Sequence, residues 1–377
     1  MVRTLWVTND FPPRAGGIEN YVAGVLKRLP AEATRVLASP WPGDREHDAT
    51  LPYRVDRVGR RPLMPNRMLL KEIEEAAAEH GAEVICFGAA WPLGQLAVKL
   101  DLPAYAFTQG HEAGMVTVGL GPLVRHATKG LGAVGVLSGY TREKLRPWIR
   151  PWIPIEYVPP GIDTSTFHPG AGGAVVRRRH HIPDDAPLVV CVSRLVARKG
   201  QDVLVQVWPQ VLARHPDARL LLVGGGPLEA KLAARIETLA LDGRVILAGE
   251  VPAADLPAHH AAADLFAMPC RTRLGGLDVE GLGIVFLEAQ ACGVPVIAGD
   301  SGGAPDALID GETGRLVDGS DPDDVAAAVI DLLEDPEQLR RMGAAGRAFV
   351  EQRFSWDAIV SHLDGLLHEL ATTAEAA

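Results

Sequence analysis

Apolar residues fall along this chain in short runs that alternate with longer stretches of helical spacing. The runs Thr4–Thr8, Arg35–Ala38, Tyr53–Val58, Val84–Phe87, Ala104–Thr108, Ala133–Leu137 and Ile155–Val158 read as strands, and Asn66–His80 reads as a helix between two of them. Strands separated by helices predict a largely parallel sheet with crossover connections. The pattern then restarts. Further strands are predicted at Leu188–Val192, Arg219–Val223, Arg244–Leu247, Leu265–Met268, Pro295–Ala298 and Gly314–Val317, again with helical segments between them. A prolyl turn, Pro159–Asp163, and a glycine-rich stretch, Gly170–Gly173, stand between the two series and read as the interdomain linker. The last element is an amphipathic helix near Trp356–Leu370, with Ile359, Leu363, Leu366, Leu367 and Leu370 on one face. The tail Ala371–Ala377 is small and polar enough to fray. The expected fold class is therefore α/β, with two Rossmann-like domains at 1–163 and 174–354 and a terminal helix at 355–377.

Length agrees with this division, because 377 residues exceed one ordinary core. The four cysteines (Cys86, Cys191, Cys270, Cys292) are scattered and show no zinc spacing, so free buried thiols in a reducing cytoplasm are expected. The N-terminal Met1–Thr8 lacks the apolar core of a signal peptide and runs straight into a strand. No apolar run reaches the length of a membrane span. The net charge of −10 is uneven: residues 1–160 carry +3 and the remainder −13. This balance argues against a nucleic-acid partner. The mildly basic first half is either chance or a face for an anionic surface.

The most informative segment is Asp278-Val279-Glu280-Gly281-Leu282-Gly283-Ile284-Val285-Phe286-Leu287-Glu288. Glu280 precedes a helix and can point into a cleft. Glu288 is expected about two turns into that helix. Gly281 and Gly283 allow close approach of the backbone to a ligand. Free N–H groups at the helix start, near Ile284 and Val285, can hold an anionic or hydroxyl-rich group. The two carboxylates are good acceptors for sugar hydroxyls. Taken alone, the pair also reads as a loop acid and a solvated helix acid.

Ser193-Arg194-Leu195-Val196-Ala197-Arg198-Lys199-Gly200 follows a strand directly, where open α/β sheets bind ligands. Its cations can neutralise a diphosphate, Arg by a fork and Lys as a point charge. A basic surface loop is the plainer reading. Asn9–Asn20, with Gly16-Gly17, resembles a phosphate-binding turn into a helix, although a tight turn alone would use the same glycines. Thr108-Gln109-Gly110-His111-Glu112 follows another strand end, and His111 reads equally as a substrate contact or a satisfied loop histidine. Gly224–Gly226 reads equally as cleft lining or as a simple strand-to-helix turn, and Gly302-Gly303 reads as a turn. No isolated D-x-D offers a metal site, and Asp321-Pro322-Asp323-Asp324 reads as a helix cap.

Together these motifs resemble the retaining glycosyltransferases of family four, which have the GT-B fold, with two Rossmann-like domains whose parallel sheets face across a cleft. The resemblance rests on Thr8–Pro13 with Gly16-Gly17-Ile18, Phe87–Ala90, Arg194–Asp202, Phe266–Arg273 and Leu277–Gly303. It covers nearly the whole chain and is closest to the family's actinobacterial phosphatidylinositol monomannoside mannosyltransferases. The resemblance implies roles. Arg194 and Lys199 would bind the diphosphate of a nucleotide sugar, with Gly16 and Gly17 closing over it. Glu280 and the amides near Gly283, Ile284 and Val285 would hold the transferred sugar. Glu288 would hold the ribose, and Gly249-Glu250-Val251 the base. The terminal helix would cross back to the first domain, and domain closure would assemble the site.

One departure stands out. Relatives commonly read Thr-His-Gly-His-Glu where this chain has Gln109, which hydrogen-bonds but cannot carry a proton charge. The expected catalytic set is Gln109, His111 and Glu280. The expected donor is GDP-mannose, used without a metal or other cofactor, and the expected acceptor is a phosphatidylinositol mannoside. Rival readings are transfer to a soluble small molecule such as an aminocyclitol, a sugar-nucleotide epimerase of the same fold, and a non-catalytic nucleotide-sugar binder. A lipid acceptor implies a peripheral contact with an anionic membrane at the inner face of the plasma membrane. Arg57, Arg60, Arg61, Arg67 and Lys71 interleave with Leu63, Met64, Met68, Leu69 and Leu70, and Trp148, Arg150 and Trp152 form a second such stretch. A core-facing helix with a solvated basic side fits the first stretch as well. The oligomeric state is left open.

Overall fold

The computed structural model describes residues 2–14, 16–59 and 61–375. The chain forms two compact units, one of Met1–Gly161 with Trp356–Ala377, the other of Ile162–Ser355.

The first unit is built on seven parallel strands: β1 (Thr4–Thr8), β2 (Thr34–Ala38), β3 (Arg54–Arg57), β4 (Val84–Phe87), β5 (Ala104–Phe107), β6 (Ala133–Val136) and β7 (Ile155–Tyr157). Their spatial order is β3-β2-β1-β4-β5-β6-β7, so the winding reverses between β1 and β4. Ligands of open α/β sheets bind at such a reversal, outside the C-terminal strand ends. The two ends are tightly apposed here. A side chain at Gly88, just past β4, would collide with the Thr8 hydroxyl at the end of β1.

Both faces of this sheet are covered. One face carries the Arg67–His80 helix through Leu69, Ile73, Ala76 and Ala77, and its N-terminus is capped by Asn66, which accepts from Met68 N and Leu69 N. The other face carries the Gly17–Leu26 helix and the terminal helix, Trp356–Glu375. Ile359, Val360, Leu363, Leu366, Leu367 and Ala371 share one buried cluster with Trp6, Val22, Val25 and Leu26. Their helical spacing explains why the terminal segment folds on this unit. The helix continues through Glu375, past the point where fraying was expected, and Ala376 and Ala377 lie outside the described residues.

The second unit holds six parallel strands: β8 (Leu188–Val192), β9 (Arg219–Val223), β10 (Val245–Gly249), β11 (Leu265–Met268), β12 (Val296–Gly299) and β13 (Gly314–Val317). The order is β10-β9-β8-β11-β12-β13, with the reversal between β8 and β11. β8 and β11 are buried along their whole length, which matches their unbroken apolar sequences.

Gly170–Gly173 is not a free linker. Ile162 N already donates to Phe354 O at 2.7 Å within the second unit. Gly173 packs so closely on Ala261 that a side chain would strike its carbonyl. The buried Arg177 then staples the segment down, donating to the carbonyls of Ala262 and Ala186 and pairing with Asp264 at 2.8 Å. Gly173 serves close packing, Gly172 turns the backbone at φ +93°, and the change of unit falls at Gly161. Asp321 does cap a helix, accepting from Asp323 N. Among the described residues no helix is long and apolar enough to cross a membrane.

Candidate active site

The Ser193–Gly200 loop leaves β8 at the reversal of the second sheet and is pinned on two sides. On the β9 side, Leu195 N donates to Gly225 O at 2.8 Å, and Leu228 N to Leu195 O at 3.1 Å. Gly224 and Gly226 have φ of +130° and +154°, and side chains there would run into the backbone of Ser193 and Leu195. On the other side, Gly200 (φ +82°) leaves no room for a side chain against the Pro269 carbonyl. From below, the wholly buried Gln201 donates through Nε2 to Ser193 Oγ (2.7 Å) and Arg194 O (3.0 Å). The loop is therefore rigid where Arg194 leaves it. Arg194 is itself exposed, and among the described residues no carboxylate pairs with it.

Lys199 is placed differently. Its Nζ lies 2.6 Å from Glu280 Oε2, with the two side chains only 11% and 8% exposed. Arg271 N also donates to Arg198 O at 2.8 Å, and Arg198 Nε lies 3.4 Å from Asp278 Oδ1. The β8 and β11 loops are thus joined by charge as well as by backbone. Sequence reasoning named Lys199 and Glu280 for separate ligand groups, and the structure makes them partners of each other.

Glu280 is held by its backbone too. Its carbonyl accepts from Gly303 N at 2.9 Å, and Ser301 Oγ lies 3.4 Å from its N. Gly302 (φ +57°) is required there, because any side chain would strike the Glu280 carbonyl. Three residues on, Gly283 (φ +83°) opens the Ile284–Ala291 helix without a side-chain cap, and a side chain on it would meet the Phe286 ring at 2.5 Å. The first N–H groups of a helix have no partner within it. Those of Ile284 and Val285 lie at this start, on half-buried residues. Glu288 is the fifth residue of the helix, nearer its start than the sequence suggested. Its Oε2 lies 3.3 Å from Nε2 of the buried His260.

A groove of about 210 Å³ runs between Arg194, Gly224-Gly225 and Glu250-Val251, floored by Val192, Val223 and Leu256. A neighbouring hollow of about 510 Å³ is lipped by Arg194, Arg198 and Arg273. Both use residues of the second unit alone. Another hollow, about 360 Å³, opens at the opposite strand ends beside Asp184, Asp264 and Arg340, and touches none of these groups.

In the first unit, the β1 and β5 loops carry the sequence candidates. Gln109 Nε2 donates to Gly88 O at 2.8 Å, and its N donates to Glu112 Oε2 at 3.0 Å. Glu112 is wholly buried, and its other oxygen accepts from Trp91 N and lies 3.3 Å from Nε2 of the exposed His111. Gly16 packs on the carboxylate of buried Glu19, which pairs with Arg14 at 2.8 Å, whereas Gly17 has open space before it. In the basic stretch, Leu63 and Leu69 belong to the core while Met64 (53%) and Met68 (42%) are exposed. Arg60 lies outside the described residues. Trp152 is 70% exposed, with Arg150 over its ring at 5.0 Å, whereas Trp148 packs on the core.

Among the described residues no group of three or more His, Cys, Asp or Glu could hold a metal. The thiols are buried. Burial pushes Cys191 up to about 12, and burial with the nearby Glu280 charge does the same to Cys270. Neither is a nucleophile at neutral pH. Gln201, Glu112 and His260 are polar residues whose part here was not read from sequence. The available signal was a polar side chain at a position facing the core.

The chain as a whole is similar to known proteins. Residues 175–349 fit the family model for glycosyl transferases group 1. The chain is 43% identical over 375 residues to the GDP-mannose-dependent alpha-(1-6)-phosphatidylinositol monomannoside mannosyltransferase of Mycolicibacterium smegmatis, covering 96% of this chain and 97% of that one. It is 44% identical over 379 residues to the protein of the same name from Mycobacterium tuberculosis, covering 97% and 98%. Among solved structures it is similar to Anabaena HepE in complex with UDP, with a TM-score of 0.82 at 19% identity over 98% of this chain and 100% of that one. The chain belongs to the group 1 glycosyl transferases, with the GT-B fold.

Proposed function

We propose that this protein transfers a mannosyl group from GDP-mannose to a phosphatidylinositol monomannoside, with retention at the anomeric carbon. The observation that carries this reading is full-length identity above 40% to mannosyltransferases of that name, in a chain that sets Arg194, Lys199, Glu280 and Glu288 around one sheet reversal. Those names do not favour a soluble acceptor, an epimerase or a simple binder.

In the proposed reaction the acceptor hydroxyl attacks C1 on the face that the diphosphate leaves. The C1–O bond to phosphate breaks, and the hydroxyl proton passes to a phosphate oxygen. Arg194 and Lys199 neutralise the charge that grows on the diphosphate, so the step calls for no metal. Glu280 and the amides of Ile284 and Val285 hold the sugar, Glu288 the ribose, and the groove at Glu250-Val251 the base. Gly17 gives a phosphate room to approach. Gln109 and His111 act on the acceptor side, oriented by Gly88 O and Glu112. The protein's part is chiefly positioning and electrostatic stabilisation.

We also propose a peripheral membrane contact through the first unit. Met64, Met68 and Trp152 supply exposed apolar area beside Arg61, Arg67, Lys71 and Arg150. The donor is tested by a turnover panel of GDP-, UDP- and ADP-sugars with EDTA present. GDP-mannose alone should be consumed; preference for another nucleotide sugar, or loss of turnover with EDTA, contradicts the reading.

A further inference from the structure

His260 lies on the Leu256–Ala261 helix and is fully buried. Its ring is held between Phe167, edge-on at 5.8 Å, and Phe266 at 5.4 Å. Neither ring nitrogen makes a hydrogen bond in these surroundings. The nearest opposite charge is Glu288, whose Oε2 stands 3.3 Å from Nε2, within ion-pair distance but not aligned as a hydrogen bond. A phenylalanine would fill this aromatic slot without stranding two polar atoms, so packing alone does not explain the imidazole. Glu288 is 16% exposed on its side chain. One oxygen faces the buried ring, which leaves the other free to face a ligand.

We propose that His260 is a positioning residue for Glu288. This rests on the reading that Glu288 holds the donor ribose. With a proton on Nε2 the ring donates to Oε2, after a small rotation of the carboxylate. Polar contacts that are misaligned in a free enzyme commonly tighten when the ligand is bound. Fixing one oxygen turns the other toward the ribose hydroxyls, and a flexible carboxylate becomes a preset acceptor. The neighbouring His259 is engaged elsewhere, through Nδ1 to Asp255 O at 2.7 Å, and takes no part.

The test is calorimetric binding of GDP, 2′-deoxy-GDP and 3′-deoxy-GDP to the full chain. The parent protein should favour GDP over the weaker deoxy analogue by about tenfold or more, the loss that goes with one charge-assisted hydrogen bond. Glu288→Ala should erase that preference. His260→Phe should erase most of it too, and should raise the donor KM with little change in kcat. His260→Gln, whose amide nitrogen can take the place of Nε2, should keep it, whereas the shorter His260→Asn should not. If Glu288→Ala erases the preference and both His260→Phe and His260→Asn retain it, the role of His260 is overturned and the ribose reading stands. If Glu288→Ala retains the preference, the ribose reading fails and this proposal fails with it. Should His260→Phe not fold, the contrast between Gln and Asn decides alone.

Discussion

Lys199 and Glu280 carry opposite charges 2.6 Å apart where water barely reaches. Removing one member of such a pair strands the other, at a cost of roughly 3–5 kcal/mol, whereas replacing both by apolar groups can be nearly neutral. Glu280→Leu alone should therefore lower the melting temperature more than Lys199→Met/Glu280→Leu does, while both abolish transfer. A double variant no more stable than the single would mean that the pair is not coupled. The types of these residues and their place after strand ends are legible in sequence. Their mutual pairing is not, because 81 residues separate them and only the apposition of the β8 and β11 loops brings them together. Gln201 and His260 are illegible for a related reason. A buried polar side chain gets its meaning from neighbours that are distant in sequence.

Elements explain why those residues hold still. The αL conformation of Gly200 costs a residue with a side chain about 1–2 kcal/mol, and a methyl group there also strikes the Pro269 carbonyl. Gly200→Ala should lower thermal stability and raise the donor KM together; an unchanged KM would show that the loop tolerates displacement. The Gly173–Arg179 and Leu256–Ala261 helices bring His180 and His259 together, with ring centroids 6.1 Å apart. Burial first, then the neighbouring positive charge of His259 and Arg179, holds His180 below its ordinary value of 6.5. Burial lowers His259 likewise, against the hydrogen bond to Asp255 O that raises it. The folded state thus takes up protons at lower pH than the unfolded chain does. Stability should hold above about pH 6.5 and fall as pH drops below it. The acid-side fall in melting temperature should be shallower in His259→Phe, and an equally steep fall would contradict this source. Most strands were legible because they are short, apolar and fully buried. β10 runs past its apolar segment to Gly249, because an irregularity between Leu247 and Gly249 carries the pairing on. The Gly170–Gly173 stretch reads as a linker because glycine marks flexibility and close packing alike, and the Arg177 staple has no local signature.

At the scale of the molecule, a net charge of −10 conceals a basic excess in residues 1–160. That excess is where the exposed Met64, Met68 and Trp152 lie. Sedimentation with anionic vesicles should carry the protein down at low salt and release it as salt rises. Trp152→Ser with Met68→Ser should weaken binding, and equal binding to neutral vesicles would contradict an electrostatic contact. Each unit also presents its candidate site residues at its own sheet reversal, a placement that the alternation of strands and helices foretells only in outline. Mannosyl transfer to a lipid can be followed in the product itself. The most direct measurement is incubation of purified protein with radiolabelled GDP-mannose and phosphatidylinositol monomannoside, followed by lipid extraction and determination of the anomeric configuration. The proposed transfer should give a labelled dimannoside with a new α linkage, lost in Glu280→Gln. Label that never enters the lipid phase, or a β-linked product, would contradict it.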